Sequence, residues 1–283
     1  MNEEIDFENS NSKLSAKKVS DNRKVYASEV TKEDGPFYCI ETFEELIVRK
    51  CVEKVDHFAY KARMSPIASR ESKLHKDCKA ELLEILTKTF PNGNWESERQ
   101  TLNEDIEKGF SKVVPDLSGR INGKGVIIEI QKSSLSLKKI RHRTEQYTKR
   151  RAYILWIVPL TEDLGNENFR PRLFERFLHT MYYGKVYYWY KGNGTKLIPV
   201  HYGTAERWIE ENTWYNEQGE EQTSGGYNKP YLRLKKPEYR IAMDLTIDFK
   251  FEDRKEFELE NDQLSAPECK IYVDKNPIWC NEV

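Results

Sequence analysis

Asp116, Glu129 and Gln131 are the residues of this chain whose types and spacing point most directly to chemistry. Val126 to Gln131 reads as a strand, and a strand alternates its faces, so Glu129 and Gln131 project to one side about 6–7 Å apart. Val126, Ile128 and Ile130 fill the other face. A carboxylate among so many apolar neighbours is costly to desolvate unless positive charge meets it. A divalent cation is the simplest partner, and Asp116 on the adjacent strand would supply a second carboxylate. Oxygen donors of this kind suit Mg²⁺ or Mn²⁺. The expected metal set is Asp116, Glu129, Glu71 and His75, with Asp116, Glu129, Gln131 and Glu71 as the catalytic group.

The helix before these strands points to the same place. Its period runs from about Ser69 to Phe90, where Pro91-Asn92-Gly93-Asn94 stops it. At 100° per residue, Glu71, His75, Cys78, Leu82 and Leu86 fall in an arc of about 80°. Polar groups on an apolar stripe want a reason, and a shared metal pocket is one. The plainer alternative is that Glu71 and His75 sit near the helix start, with Glu71 favoured by the helix dipole.

Next come Trp95 to Gln100, expected as a strand, and a hairpin of Val113–Ile121 and Val126–Gln131 around Asn122-Gly123-Lys124-Gly125. Ser136 to Arg151 reads as a helix, with Ser133, Ser134 or Ser136 as N-cap. Ala152 to Pro159 is a near-continuous apolar run, hence a central strand. The fold class is therefore α/β (α+β), a core of mixed sheet flanked by helices, with β-rich N-terminal and C-terminal accessory segments.

The expected division is a disordered arm over 1–24, a small β-rich segment over 25–66 and the core over 67–160. A helix (Phe169 to Tyr183) with an aromatic hairpin follows over 161–217, then a linker and β-rich accessory region over 218–283. In the last part, Ile241, Met243, Leu245, Ile247, Phe249 and Phe251 alternate as one strand would. Tyr187-Tyr188-Trp189-Tyr190 is read as hairpin core, with stacking on unpaired bases as the alternative.

Composition narrows the class. Hydrophobic residues make up 38% and charged residues 33%, which fits a charged surface over a proper core. No apolar run approaches the roughly 20 residues needed to cross a bilayer, and the opening residues lack a signal-peptide pattern. A cytoplasmic protein with no membrane partner is expected. Five scattered cysteines make no CxxC pair. Cys39, Cys51 and His57 lack the fourth ligand and spacing of a zinc finger, so reduced structural thiols are expected.

Net charge is −1, but Lys132 to Arg151 carries eight Lys or Arg against Glu145 alone, a local +7. Such a segment attracts a phosphate backbone, although an isolated basic helix is more often a solvated face. The expected nucleic-acid contacts are Lys79, Lys132, Lys138, Arg141 and Arg143.

The order of elements and the Pro115-Asp116…Glu129-Ile130-Gln131 pattern resemble the PD-(D/E)xK nuclease superfamily, with Gln131 where lysine usually stands. More narrowly, the chain resembles the competence protein CoiA-like nuclease family. The resemblance covers about residues 25–203. It rests on His57-Phe58-Ala59, Glu71-Ser72-Lys73-Leu74-His75 with Lys79, Pro115-Asp116, Ile128 to Ser133, Arg143-Thr144 with Tyr147, Leu155-Trp156-Ile157, Gly184 to Trp189 and Pro199-Val200-His201. Relatives carry a CPxC element before an HFAH-like motif; here the stretch is Cys39-Ile40-Glu41-Thr42, and Tyr60 stands for the second histidine.

The resemblance implies a Mg²⁺-dependent nuclease acting on DNA, in recombination and DNA uptake or in defence against foreign DNA. Lys79, Lys132 or Arg143 would supply the cation that Gln131 lacks. Expected partners are DNA and, beyond it, a second copy of the chain or an ATPase or helicase; there is no GxxxxGK loop for the chain to drive itself with ATP. The alternatives are a catalytically degenerate nuclease fold used for DNA binding or docking, and an RNase with the same core.

Overall fold

A computed structural model describes residues 13–40, 45–52, 55–61, 73–101, 106–107, 109–131, 136–216, 218–259, 264–276 and 279. The chain forms two compact units, Met1–Arg63 and Met64–Val283.

The first unit is an antiparallel sheet of β1 (Ser15–Lys18), β2 (Lys24–Tyr26), β3 (Phe37–Tyr38), β4 (Glu45–Arg49) and β5 (His57–Tyr60), in the order β2-β1-β3-β4-β5. In β4 the alternation is visible: Leu46 and Val48 are buried, Ile47 is exposed. With Ala16, Ala27, Phe37, Cys39 and Phe58 they make a small core. The expected arm over 1–24 is thus corrected: β1 lies inside it and pairs with β2 and β3. Ala16, wholly buried, is the short apolar anchor that a reading based on polar composition passes over.

The second unit begins with α1 (Lys73–Thr89) and β6 (Glu96–Ser97). Glu98 follows at φ 52, which ends that strand well short of Gln100. Then come β7 (Leu117–Ile121) and β8 (Lys124–Ile130), paired from Leu117↔Ile128 to Ile121↔Lys124. The turn is Asn122-Gly123 alone, at φ 49 and 77, the left-handed pair that a two-residue hairpin requires. Lys124 and Gly125 are therefore in the strand, and Val113–Asp116 precede it.

Helix α2 (Leu137–Lys149), with Ser136 at its N-cap in extended conformation, leads to β9 (Tyr153–Pro159). β9 pairs in parallel with β8, from Val126↔Tyr153 to Ile130↔Ile157. Every residue of β9 after Tyr153 is buried, as expected for a strand covered on both faces.

Helix α3 (Leu173–Met181) precedes β10 (Val186–Trp189), which runs parallel to the end of β9, and β11 (Lys196–Ile209), antiparallel to β10. Phe169 is not helical; it bridges to Lys235. Tyr187, Tyr188 and Trp189 are fully buried, so the aromatic strand is core and its rings do not face solvent. The remaining strands are β12 (Asn212–Tyr215), β13 (Glu221–Ser224), β14 (Tyr227–Tyr239), β15 (Met243–Asp244), β16 (Phe249–Arg254), β17 (Phe257–Leu259), β18 (Leu264–Ala266) and β19 (Cys269–Asp274). The main sheet runs β14-β11-β10-β9-β8-β7-β6, with β19 against the start of β9 and β16 against β19.

Two expectations for the C-terminal part are corrected here. It is no separate accessory unit, because Leu245, Phe249, Ile271, Tyr272 and Val273 belong to the same core as α1 and β8. Nor is 241–251 one strand. The Asp248 amide donates to the Asp244 carbonyl and the Asp244 amide to the Asp248 carboxylate, closing a turn between β15 and β16. Ile241 and Ile247 are therefore exposed, while Leu245 and Phe249 are buried.

Candidate active site

Two helices each aim an i, i+4 pair of side chains at one carboxylate. Helix α1 buries His75, Cys78, Leu82 and Leu86 along the stripe that its sequence period marks. On the edge of that stripe His75 and Lys79 reach Asp116. His75 Nε2 is 3.4 Å and Lys79 Nζ 3.9 Å from Asp116 Oδ1. Helix α2 buries Ile140, Thr144 and Tyr147. Arg143 lies one turn from Ile140 and Tyr147, and from there its Nη1 donates to Glu129 Oε1 at 2.5 Å, alongside the Tyr147 hydroxyl at 2.5 Å.

The strands fix the carboxylates. Asp116 stands one residue before β7, and its Oδ2 accepts the Ile130 amide at 2.9 Å across the hairpin. Glu129 is the penultimate residue of β8, 1% exposed, between β7 and β9 in the sheet. Gln131 follows the end of β8, also 1% exposed, and its amide donates to the Ile157 carbonyl at 2.7 Å. Hydrophobic strands on both sides thus carry three polar side chains to the sheet end that α1 and α2 overhang.

The electrostatics of the two acids differ. Burial pushes the Asp116 carboxyl up, but the His75 ring, the Ile130 amide and the Lys79 charge outweigh it, and the group ends below its ordinary range. Glu129 goes the other way, pushed up to about 8. Complete desolvation is the main cause, the Asp116 charge adds to it, and Arg143 with Tyr147 offsets only part. The Glu129 charge raises Arg143 against its own burial, while burial first and then Glu129 drive the Tyr147 hydroxyl far above its usual value, so both stay as hydrogen-bond donors.

The structure brings Asp116, Glu129, Gln131, His75, Lys79 and Arg143 to one end of the sheet. Glu71 and Lys132 lie outside the described residues. Lys138 is exposed and Arg141 half-buried on α2, neither bonded to either acid. Lys79 and Arg143, expected as backbone contacts, are turned inward instead; Lys79 also holds Glu98 at 2.5 Å. His75 Nε2 faces the Asp116 carboxylate. Two residues were given no role in the sequence, Tyr147 and Glu98. Tyr147 was legible, since a hydroxyl on an inward helix stripe four residues after Arg143 must find a polar partner. Glu98 gave no signal, because its place depends on the left-handed backbone after β6.

The oxygen donors Asp116 and Glu129 suit Mg²⁺ or Mn²⁺. Among the described residues no group of three His, Cys, Asp or Glu side chains is placed to hold a metal ion. The observation that fits a cation is Glu129 itself: Arg143 alone leaves this buried carboxyl well above its ordinary range, and a second positive charge would keep it ionised. Elsewhere, Cys39 accepts from the Tyr60 hydroxyl at 3.2 Å and Cys51 lies 3.8 Å from His57 Nδ1, and none of the four described cysteines is in a disulfide.

A mixed sheet with flanking helices, bearing an aspartate before one hairpin strand and Glu-x-Gln on the next, defines a nuclease-like α+β domain. Residues 71–205 match the family described as competence protein CoiA, nuclease-like domain. No curated protein and no solved structure matches the chain. No helix among the described residues is long and apolar enough to cross a membrane.

Proposed function

We propose that the chain is a metal-dependent nuclease that cleaves DNA phosphodiester bonds, in the recombination of incoming DNA or in defence against foreign DNA. The observation that carries this reading is the pairing of Asp116 with the desolvated Glu129 at the sheet end, ringed by His75, Lys79 and Arg143. Asp116 and Glu129 would hold Mg²⁺ or Mn²⁺, with Glu71 and His75 as the further donors. A bound ion of this kind lowers the pKa of a ligated water and offsets charge on the scissile phosphate.

The chain's own groups do the rest. The Gln131 amide, able both to donate and to accept, orients the attacking water without charging it. Arg143 keeps a permanent positive charge beside Glu129, in the role that lysine fills in the related pattern, and Lys79 places another beside Asp116. The exposed Lys138, Lys139 and Lys149 of α2, with Lys132 and Arg141, follow the phosphate backbone in a sequence-independent, salt-sensitive way.

One observation favours a second reading, a degenerate nuclease fold used for DNA binding or docking. Arg143 and Tyr147 both meet Glu129 Oε1, and Gln131 brings no charge. Labelled single-stranded, linear duplex and supercoiled DNA, each in Mg²⁺, Mn²⁺ or EDTA, separate the two. Cleavage that needs metal and disappears in Asp116→Ala and Glu129→Ala supports the nuclease. DNA binding that is unchanged in both variants, with no cleavage of any substrate, removes it and leaves the docking module. Structured RNA in the same assay tests the RNase alternative.

A further inference from the structure

The outer part of β11 and its partner β14 leave the main sheet as a two-stranded ribbon. β10 pairs with β11 only as far as Val200, and β15 only at Lys196 and Leu197. Beyond that, among the described residues, β14 alone accompanies β11, out to Ile209↔Tyr227. The Gly226 amide donates to the Ile209 carbonyl at 2.8 Å, and β12 and β13 continue the ribbon, paired, among the described residues, with each other alone. A two-stranded ribbon without a third layer is marginal in water. This one also exposes large rings: Trp208 is 59% exposed, Trp214 46%, Tyr215 69% and Tyr227 50%. Tryptophan and tyrosine are the residues that interface centres gather.

Its charge is divided along its length. From Glu210 to Gly226 the sequence holds five Glu and no Lys or Arg. The inner segments, 204–209 and 227–240, hold six Lys or Arg against two Glu. A polyanion laid along the ribbon would meet repulsion over its whole outer half, which disfavours nucleic acid as the occupant. A second copy laid antiparallel meets attraction at both ends, because each acidic outer half lies on the other's basic inner half. That is the self-complementarity an isologous twofold contact demands.

We infer that the ribbon spanning 204–240 is a dimerisation arm whose partner is the same ribbon of a second copy. The twofold pairing covers the exposed rings of both ribbons and closes their open edges. Its extent, from Glu206 to Asn216 and from Gln218 to Arg233, matches the roughly 20–30 residues a side of a standard interface. The inference does not rest on the nuclease reading, since it concerns strands on the opposite side of β9 and β10 from Glu129.

The test is sedimentation velocity on the full chain over a concentration series, with two charge-reversed proteins. Glu210→Lys, Glu211→Lys, Glu220→Lys and Glu221→Lys together take the outer half from −5 to +3; Lys229→Glu, Arg233→Glu, Lys235→Glu and Lys236→Glu together take the inner half from +4 to −4. Wild type is expected to dimerise, and each reversed protein alone to dimerise at least about 100-fold more weakly, through like-charge contacts. An equimolar mixture of the two reversed proteins is expected to regain a dimer, since attraction returns at both ends. Wild type that stays monomeric throughout, reversed proteins that dimerise as well as wild type, or a mixture that stays monomeric would each overturn the inference. So would a monomer whose ribbon instead binds duplex DNA in EDTA. If a reversed protein does not fold, a salt titration of wild type decides: the dimer must weaken with salt, and a salt-indifferent dimer overturns it.

Discussion

The molecule solves one problem twice, at Glu129 and at Asp274, and leaves one of the solutions incomplete. Each is a buried carboxylate with a cation and a tyrosine hydroxyl on a single oxygen. Glu129 Oε1 receives Arg143 and Tyr147, spaced i, i+4 on a helix. Asp274 Oδ2 receives Lys185 at 2.7 Å and Tyr187 at 2.6 Å, spaced i, i+2 around the start of a strand. The difference lies in the other oxygen. Asp274 Oδ1 accepts the Asn276 amide at 2.9 Å, so the group is satisfied on both sides. The described hydrogen bonds to Glu129 both fall on Oε1, and a second carboxylate, Asp116, stands near enough to raise its pKa. A closed ion pair is a structural device, whereas an open one beside another acid has capacity left for a ligand.

The largest effect should come from closing that difference at the Glu129 end. Glu129→Gln and Asp116→Asn should each lower DNA cleavage by about 10³-fold or more in single-turnover assays, with a near-native melting temperature. Next in size is Asp274→Ala, which strands the buried Lys185 charge. It should cost about 3–5 kcal/mol of unfolding free energy by urea titration, while the remaining folded protein still cleaves. The double change Asp274→Leu with Lys185→Met should return most of that stability; if it does not, the Asp274 pair does more than hold the fold.

A smaller effect sets the two regions apart by pH. Near Lys185, His179 is pushed down to about 3 by its burial and by the charges of His201 and Lys235. Its Nε2 accepts the Tyr202 amide at 3.2 Å and faces His201 Nδ1 at 3.1 Å. The folded pKa lies below the unfolded value of about 6.5, so its contribution is whole above pH 6.5 and is lost as pH falls towards 3. Melting temperature should drop across that window, and His179→Gln should flatten part of the drop. The smallest effect should come from the surface of α2. Lys138→Ala should weaken binding to all DNA sequences alike and reduce the salt slope by about 1, measured by titration in EDTA.

Most of the core was legible in the sequence. The stripe from His75 to Leu86 gave helix α1, the apolar run after Ala152 gave the central strand β9, and Asn122-Gly123 gave the hairpin. Local periodicity decides these elements, because each must bury one face whatever its neighbours are. The strand expected over 241–251 failed for the complementary reason: alternation says which residues share a face only while the chain stays extended, and the Asp244–Asp248 turn interrupts it. Likewise Ala16, one small residue in a polar stretch, becomes core only because β2 and β3 flank it.

At the site the same division holds. Sequence alone set which residue types share the strand end, since a period of two puts Glu129 and Gln131 on one side and a hairpin returns Asp116 beside them. Only the tertiary structure decided that Arg143 and Tyr147 close on Glu129, that Lys79 turns to Asp116 and Glu98, and that Asp274 meets Lys185 across 89 residues of chain. Periodicity fixes the direction of a side chain from its own element; which charge it meets depends on how separate elements pack, and no local pattern encodes that.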